Sequence, residues 1–353
     1  MSSQHVGRSA PGIDVRFHRS GSQLSKIIEV DGCSYTSSIV LNGAPRQGSD
    51  ATVWWHSYLR GFQPQAEKQI GELRVAELFC GPGGLAQGVK QFCREVGLDF
   101  KSVATADIDE SAVAVYTSNH RTEPRFVKAG PDGDMEKLVK YEHEGVAEKA
   151  RFRTKPSLID PDWKSLREEG GVDLLLAGPP CQGHSNLNIK KPGPEFHPEK
   201  PYDLRNLHYL DVPAMAVALD CPMVIIENVP AVRWDKKNVV ETARRLFLDA
   251  GYKVETGVLK ASAMGWPQNR SRYFMVASRI ADPLPLDKTA EMLAVGKDNL
   301  DLWWAISEYE EVEDDGRMFR QANRTPENNA RINYLFENGL HDLPDSQRPP
   351  CHS

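Results

Sequence analysis

A chain of 353 residues, 40% of them hydrophobic, is long enough for one large domain and a smaller one, and excludes a short stapled scaffold. Its net charge of −6 is mildly acidic, so any nucleic-acid contact must come from local Lys and Arg clusters and not from the total. No apolar run approaches bilayer-spanning length, and MSSQHVGRSAPG has neither a secretory nor a transit-peptide pattern, so a cytoplasmic protein with no membrane partner is expected.

Residues 1–70 carry short β-like runs, SKIIEV and SSIVL, among Gly, Ser and Pro. They predict an N-terminal extension of strands and turns, to which the sequence assigns no function. From Leu73 strands and helices alternate. RVAELF leads through a Gly-rich turn into a helix from Leu85 to Val96, and the strand KSVATAD is followed by a helix from Glu110 to Asn119. A polar insertion over 121–156 shows no strong period. Beyond it come the strand VDLLLAG, a loop rich in Pro and Lys, an apolar helix over 206–219 and the strand PMVIIEN. A helix over 238–250 stops at Gly251, and the strands YKVETGVLKA and SRYFMVAS close the series. This order predicts an α/β fold, a doubly wound and mostly parallel sheet over 71–282 with ligands at the carboxyl ends of its strands. Residues 283–353 read as the start of a small second domain, in which Trp303 and Trp304 are expected to pack.

The informative residues lie at the strand ends. In ELFCGPGGLAQG, Gly81, Gly83 and Gly84 let a backbone turn approach a ligand and direct helix-end N–H groups at a carboxylate. The second strand ends in ATADID, with Asp107 where dinucleotide folds hold ribose hydroxyls. The turn is not GxGxxG and no basic residue stands ready for a pyrophosphate, which favours an adenosine cofactor without phosphates. Cys181 follows Pro179 and Pro180, which leave its side chain few conformations and suit a nucleophile. Glu227 ends the strand VIIEN, and Arg270 and Arg272 alternate in QNRSR, so both are expected on one face. The six cysteines have no paired metal spacing and read as free thiols, with no metal site. Lys190, Lys191, Lys200 and Arg205, with Arg233, Lys236 and Lys237, form basic groups that fit either a solvated surface or phosphate contacts.

A thiolate, a carboxylic acid and an arginine beside an adenosine cofactor fit methylation at carbon 5 of cytosine. A thiolate adding to carbon 6 makes carbon 5 nucleophilic. On this reading Cys181 is the covalent nucleophile, Glu227 donates a proton to ring N3, and Arg270 fixes Glu227 and the base oxygen. A base inside a duplex has to be flipped out to reach such a site.

In that order, ELFCGPGGLAQG, ADIDESAVAVY, GPPCQGHSN, DLRN, ENV and GWPQNRSRYF resemble the motifs of the S-adenosylmethionine-dependent DNA cytosine-5 methyltransferases of the bacterial modification type, over residues 73–278. The resemblance implies a class I (Rossmann-like) methyltransferase domain, S-adenosylmethionine as cofactor, double-stranded DNA as partner, and a role in restriction and modification. It also implies that Phe79, Gly81, Gly83, Leu85, Asp107, Ile108 and Pro179 line the cofactor site, with Asp160 as the adenine-side acid and Asp162 as the competing choice. His184 stands where many relatives have Phe. Members of the family continue into a recognition domain and two further motifs, the last of which completes the cofactor pocket and the sheet. Neither motif is found here, and residues 1–70 hold no permuted copy, so the chain reads as truncated or as half of a split enzyme whose partner chain covers the exposed edge. The alternatives are methylation of cytosine in transfer RNA, against which the Cys-Phe-Thr string of that branch is absent, and a silent subunit. Cys351, in RPPC, follows polar residues and is not expected to be catalytic.

Overall fold

The computed structural model describes residues 13–41, 48–180, 203–294, 300–306, 325–340 and 342–348. The chain divides into a larger unit, 1–185 with 198–305, and a smaller one, 186–197 with 306–353. In the larger unit the first strands are β1 (Ile13–Ser20), β2 (Gln23–Val30) and β3 (Cys33–Val40), an antiparallel meander. Asp31 and Gly32 both take positive φ, +48° and +81°, in the two-residue turn that joins β2 to β3. That backbone matches the twist of a tight hairpin.

Residues 50–59 depart from the expected strands and turns, for they form a helix, α1 (Asp50–Leu59). Ser49 caps it by accepting a hydrogen bond from the Thr52 N–H. β-Branched and aromatic residues in ATVWWHSYL read locally as strand, and burial of Val53 and Trp54 with Phe17, Leu24 and Ile39 overrides that preference. The two-residue strand β4 (Gln65–Ala66) completes this sheet in the order β1-β2-β3-β4.

The larger sheet uses β5 (Gly71–Leu78), β6 (Leu98–Asp107) and β7 (Val127–Ala129), with α2 (Gly84–Val96) and α3 (Glu110–His120) between them. Then come β8 (Leu174–Ala177), α4 (Asp211–Leu219), β9 (Met223–Asn228), α5 (Val239–Asp249), β10 (Lys253–Lys260) and β11 (Ser271–Ser278). The order is β10-β11-β9-β8-β5-β6-β7. β7, β6, β5, β8 and β9 pair in parallel, while β11 runs antiparallel between β9 and β10. This is the doubly wound, mostly parallel sheet read from the alternation. β7 lies inside the stretch read as an insertion without period. Its three residues, Val-Lys-Ala, are too few and too mixed to show one.

Among the described residues all seven strands of this sheet come from 71–278 and pair in one continuous order. At the β10 edge, Leu286 at the start of α6 (Leu286–Ala294) packs 3.0 Å from where a Cβ of Gly257 would stand. In the smaller unit, α7 (Pro326–Glu337) is capped by Thr325, which accepts from the Asn328 N–H. Among the described residues no helix is long and apolar enough to cross a membrane.

The N-terminal strands are keyed into the large domain by charge. Lys26 of β2 is buried and its Nζ lies 2.6 Å from Glu95 Oε2 on α2, while Trp54 Nε1 donates to Glu95 Oε1 at 3.4 Å. Removing one member of a buried pair strands the other charge. Lys26→Met should therefore lower unfolding stability by about 3 kcal/mol, read as a reduced urea midpoint at unchanged slope. The double change Lys26→Met with Glu95→Leu should recover most of it, and equal losses in the single and double variants would refute the coupling.

Candidate active site

β5 delivers the chain to the turn 79–83 with the backbone in positive φ at Phe79 (+52°), Gly81 (+51°) and Gly83 (+91°). Glycine meets this conformation without penalty, whereas Phe79 is held in it by its surroundings. The Gly81 N–H donates to Asp107 Oδ2 at 2.8 Å, and the Asp109 N–H donates to Asp107 Oδ1 at 2.9 Å. The second-strand acid is thus pinned against the glycine turn. Ile108 beside it is 68% exposed, an apolar side chain turned to solvent at a strand end. Nothing lies within 4 Å of a Cβ built at Gly81 or Gly84, so the turn is open to close approach.

Under the turn, Glu77 is 1% exposed and Oε2 accepts from the Ala86 N–H at 3.2 Å. Burial pushes its carboxyl up to about 8 and the neighbouring Cys80 thiol up to about 12. Burial thus favours the neutral form of both groups, which makes Cys80 a poor nucleophile. The Phe79 ring faces His208, their centroids 5.8 Å apart. His208 Nδ1 lies 2.7 Å from Asp211 Oδ2, and that hydrogen bond holds the imidazole above its usual range.

β8 ends beside the same turn, where the Gly178 N–H donates to the Leu78 carbonyl at 3.2 Å. The Pro179 carbonyl accepts from Asn228 Nδ2 at 3.1 Å, and Asn228 Oδ1 accepts from the Val229 N–H at 2.8 Å. The ENV segment therefore grips the chain two residues ahead of Cys181. Cys181 itself lies outside the described residues, as do His184, Lys190, Lys191, Lys200 and Cys351. Asn228 was given no role by its sequence alone, because only the parallel pairing of β8 with β9 sets it under Pro179.

Glu227 forms its ion pair with Arg272, Nε to Oε1 at 2.7 Å, each side chain 24% exposed. This corrects the assignment of that role to Arg270. β9 and β11 are antiparallel with Glu227 opposite Phe274, so Arg272 is the diagonal neighbour of Glu227 on one face. Arg270 precedes the strand and is exposed, and its carbonyl accepts from the Ala261 N–H at 2.8 Å. The alternation in QNRSR signalled two arginines on one face. Which of them meets the acid depends on a register that no local pattern encodes.

Asp160 is likewise displaced. It follows the two-residue strand Ser157–Leu158, outside the large sheet, and caps the short helix Pro161–Ser165. Its carboxylate lies 2.9 Å from Lys128 Nζ, and Asp162 lies 2.8 Å from the same ammonium. The third strand of the sheet is β7, whose loop carries Asp132 and Asp134. There a Cβ at Gly133 would stand 2.3 Å from the Asp107 carbonyl oxygen, so this loop packs directly on the end of β6. Trp304 packs on His56 of α1 in the larger unit, centroids 5.3 Å apart, rather than in a small domain, while Trp303 is largely exposed.

The family model of C-5 cytosine-specific DNA methylases matches residues 73–333. The chain is 30% identical over 346 residues to the type II methyltransferase M1.BsuMI of Bacillus subtilis (strain 168), covering 95% of this chain and 73% of that protein. It is 29% identical over 205 residues to the type II methyltransferase M.NlaX of Neisseria lactamica, covering 58% of this chain and 51% of the relative. Among solved structures, a putative DNA modification methyltransferase encoded within a prophage (E. coli) matches at 21% identity over 78% of this chain and 56% of that one, with a TM-score of 0.40. The S. pombe Dnmt2 methyltransferase matches at 19% identity over 62% and 54%, with a TM-score of 0.39. The chain thus spans about half the length of several of the proteins it matches.

Proposed function

Because this chain belongs to the C-5 cytosine-specific DNA methylase family, we propose that it transfers a methyl group from S-adenosylmethionine to carbon 5 of a cytosine flipped out of double-stranded DNA, in a restriction-modification or related DNA-marking setting. The observation that carries the reading is the Glu227–Arg272 pair, at the same sheet edge as the glycine turn and as Pro179, two residues before Cys181. The match to the C-5 cytosine-specific DNA methylase family favours DNA over transfer RNA.

The strand ends fit the cofactor. Gly81 and Gly84 leave a cradle with no side chain in it, Asp107 offers a carboxylate to ribose hydroxyls, and Phe79, Leu85, Ile108 and Pro179 supply apolar surface. For the adenine-side acid we favour Asp134 over Asp160, because its loop packs on Asp107 while Asp160 is committed to Lys128. S-adenosylmethionine, when bound, supplies an electrophilic methyl group.

The chain's own residues prepare the base. The Cys181 thiolate adds to carbon 6, and the electron pair displaced from the 5,6 double bond is absorbed as N3 takes a proton from Glu227. Arg272 holds the Glu227 carboxyl in place and presents its remaining N–H groups to the base oxygen. Carbon 5 would then take the methyl group as its bond to the cofactor sulfur breaks, leaving that sulfur as a neutral thioether. Loss of the carbon 5 proton to solvent, departure of Cys181 and return of the N3 proton to Glu227 restore the aromatic ring and the free thiolate. A second chain that contributes to reading the DNA target completes the proposal.

The test is transfer of labelled methyl from S-adenosylmethionine to mixed-sequence duplex DNA, with transfer RNA as the comparison. Label in DNA supports the reading, and label confined to transfer RNA would replace it. The two arginines provide a finer check. Arg272→Ala should lower kcat by about 10²-fold or more, the scale of a lost transition-state donor, whereas Arg270→Ala should change the rate less. Equal losses would remove the distinction drawn from the register.

A further inference from the structure

Beneath the glycine turn lies a buried polar group that the reaction above does not use. His120, the last residue of α3, is 4% exposed, and its Nε2 lies 3.2 Å from the carbonyl oxygen of Gly83. The imidazole also fills the place that a side chain at residue 83 would occupy. A Cβ there would stand 2.7 Å from the His120 ring and 2.8 Å from the Tyr116 ring. Rings of Tyr116 and Phe100 flank the imidazole, with centroids 4.8 Å and 5.7 Å away. Thr122 Oγ1 donates to the His120 carbonyl at 3.2 Å and lies 2.6 Å from Ser102 Oγ, which in turn lies 3.0 Å from the Tyr116 hydroxyl. The ring is therefore fixed through its backbone and its packing together.

A nitrogen facing a carbonyl oxygen must carry the proton, so His120 donates from Nε2. The Gly83 oxygen and the Gly84 N–H belong to one planar peptide and point in opposite directions. An oxygen drawn inward by His120, and also by the Gln87 N–H at 2.9 Å, leaves the Gly84 N–H directed the other way, into the open cradle.

We propose that His120 is a positioning residue for the cofactor: by holding the Gly83 carbonyl it aims the first N–H groups of α2 at the carboxylate of S-adenosylmethionine. The inference rests on the functional reading above and extends it to a residue outside the site. It implies a dependence on pH. Burial holds His120 below the ordinary histidine range against the opposing pull of its hydrogen bond to the Gly83 carbonyl, and Lys90 of α2 adds to the lowering. The other groups facing it are Tyr116 of α3, Phe100 and Ser102 of β6, and Thr122. Arg121 bears on Lys90, and Glu77 and Cys80 lie beyond Tyr116. Among the described residues none supplies a negative charge at His120, so its protonation, held below the usual histidine range, introduces an uncompensated cation under the turn.

Binding of S-adenosylmethionine and S-adenosylhomocysteine is measured by calorimetry without DNA, on the wild-type chain, His120→Phe and His120→Gln. Phe keeps the ring and deletes the donor, while the Gln amide reaches the same oxygen. The expected result is a loss of about three- to tenfold in affinity for His120→Phe, the scale of one hydrogen bond. KM for S-adenosylmethionine should rise to match at unchanged kcat, and His120→Gln should recover most of the loss. Wild-type affinity should change as His120 takes up a second proton on acidification, and that change should be absent in His120→Phe. Binding by His120→Phe within twofold of wild type, or with the wild-type pH profile, would overturn the proposal. If His120→Phe does not fold, His120→Gln and the wild-type pH profile decide. A wild-type chain that binds neither compound would instead overturn the functional reading, and this inference with it.

Discussion

Cys181→Ala is expected to slow methyl transfer to duplex DNA on the order of 10⁵-fold, the scale seen when a covalent nucleophile is deleted. Carbon 5 of cytosine has no appreciable nucleophilicity until carbon 6 has been attacked, and no other described cysteine can substitute. Cys80, Cys93 and Cys221 are buried, their thiols pushed up to about 12, 11 and 12 by desolvation. Cys33 is exposed on β3, in the N-terminal meander. The variant should still bind S-adenosylmethionine, because the glycine turn and Asp107 are built from β5 and β6. Duplex containing 5-fluorocytosine separates the outcomes: the wild-type protein should form a denaturation-resistant complex with it and Cys181→Ala none. Activity within tenfold of wild type would remove Cys181 from the mechanism.

Glu227→Gln should lower kcat by about 10²- to 10⁴-fold, the range for a positioned general acid. The amide keeps an oxygen for Arg272, so the ion-pair geometry is replaced by a neutral hydrogen bond and the fold is preserved. What is lost is the proton for N3, without which the adduct at Cys181 accumulates negative charge on the ring. KM for S-adenosylmethionine should stay within about twofold, since in the proposed mechanism Glu227 acts on the base and not on the cofactor. Single-turnover assays at saturating cofactor measure this directly, and a kcat within threefold of wild type would assign the proton to another group.

The parts of this site legible in the sequence are those fixed by neighbours along the chain. Gly81 and Gly83 announce a backbone that must enter positive φ, and Asp107 announces a carboxylate at a strand end, because both depend on residues within one βα unit. Strands as regular as MVIIEN and SRYFMVAS declare themselves by composition. What stayed hidden depends on pairing across the fold. Arg272 was chosen over Arg270 by the antiparallel register against β9. Asn228 gained its role from a carbonyl 49 residues earlier. Asp160 was placed by resemblance to a third-motif acid, whereas the third strand of the sheet is β7, three residues of mixed character upstream of it. α1 was concealed for the opposite reason: its composition favours a strand, and a shared core with β1–β3 holds it helical.

The ion pair between Lys26 and Glu95 carries a consequence for how such a protein can diverge. A neutral residue arriving alone at either position leaves the other charge stranded, so each single step passes through a weakened ancestor, whereas the two-step exchange for an apolar pair restores what was lost. Lineages that keep this N-terminal sheet should hold the two sites either both charged or both apolar, and rarely mixed. An N-terminal sheet transplanted from a lineage of the other kind onto this catalytic domain would then be incompatible at a position remote from any chemistry.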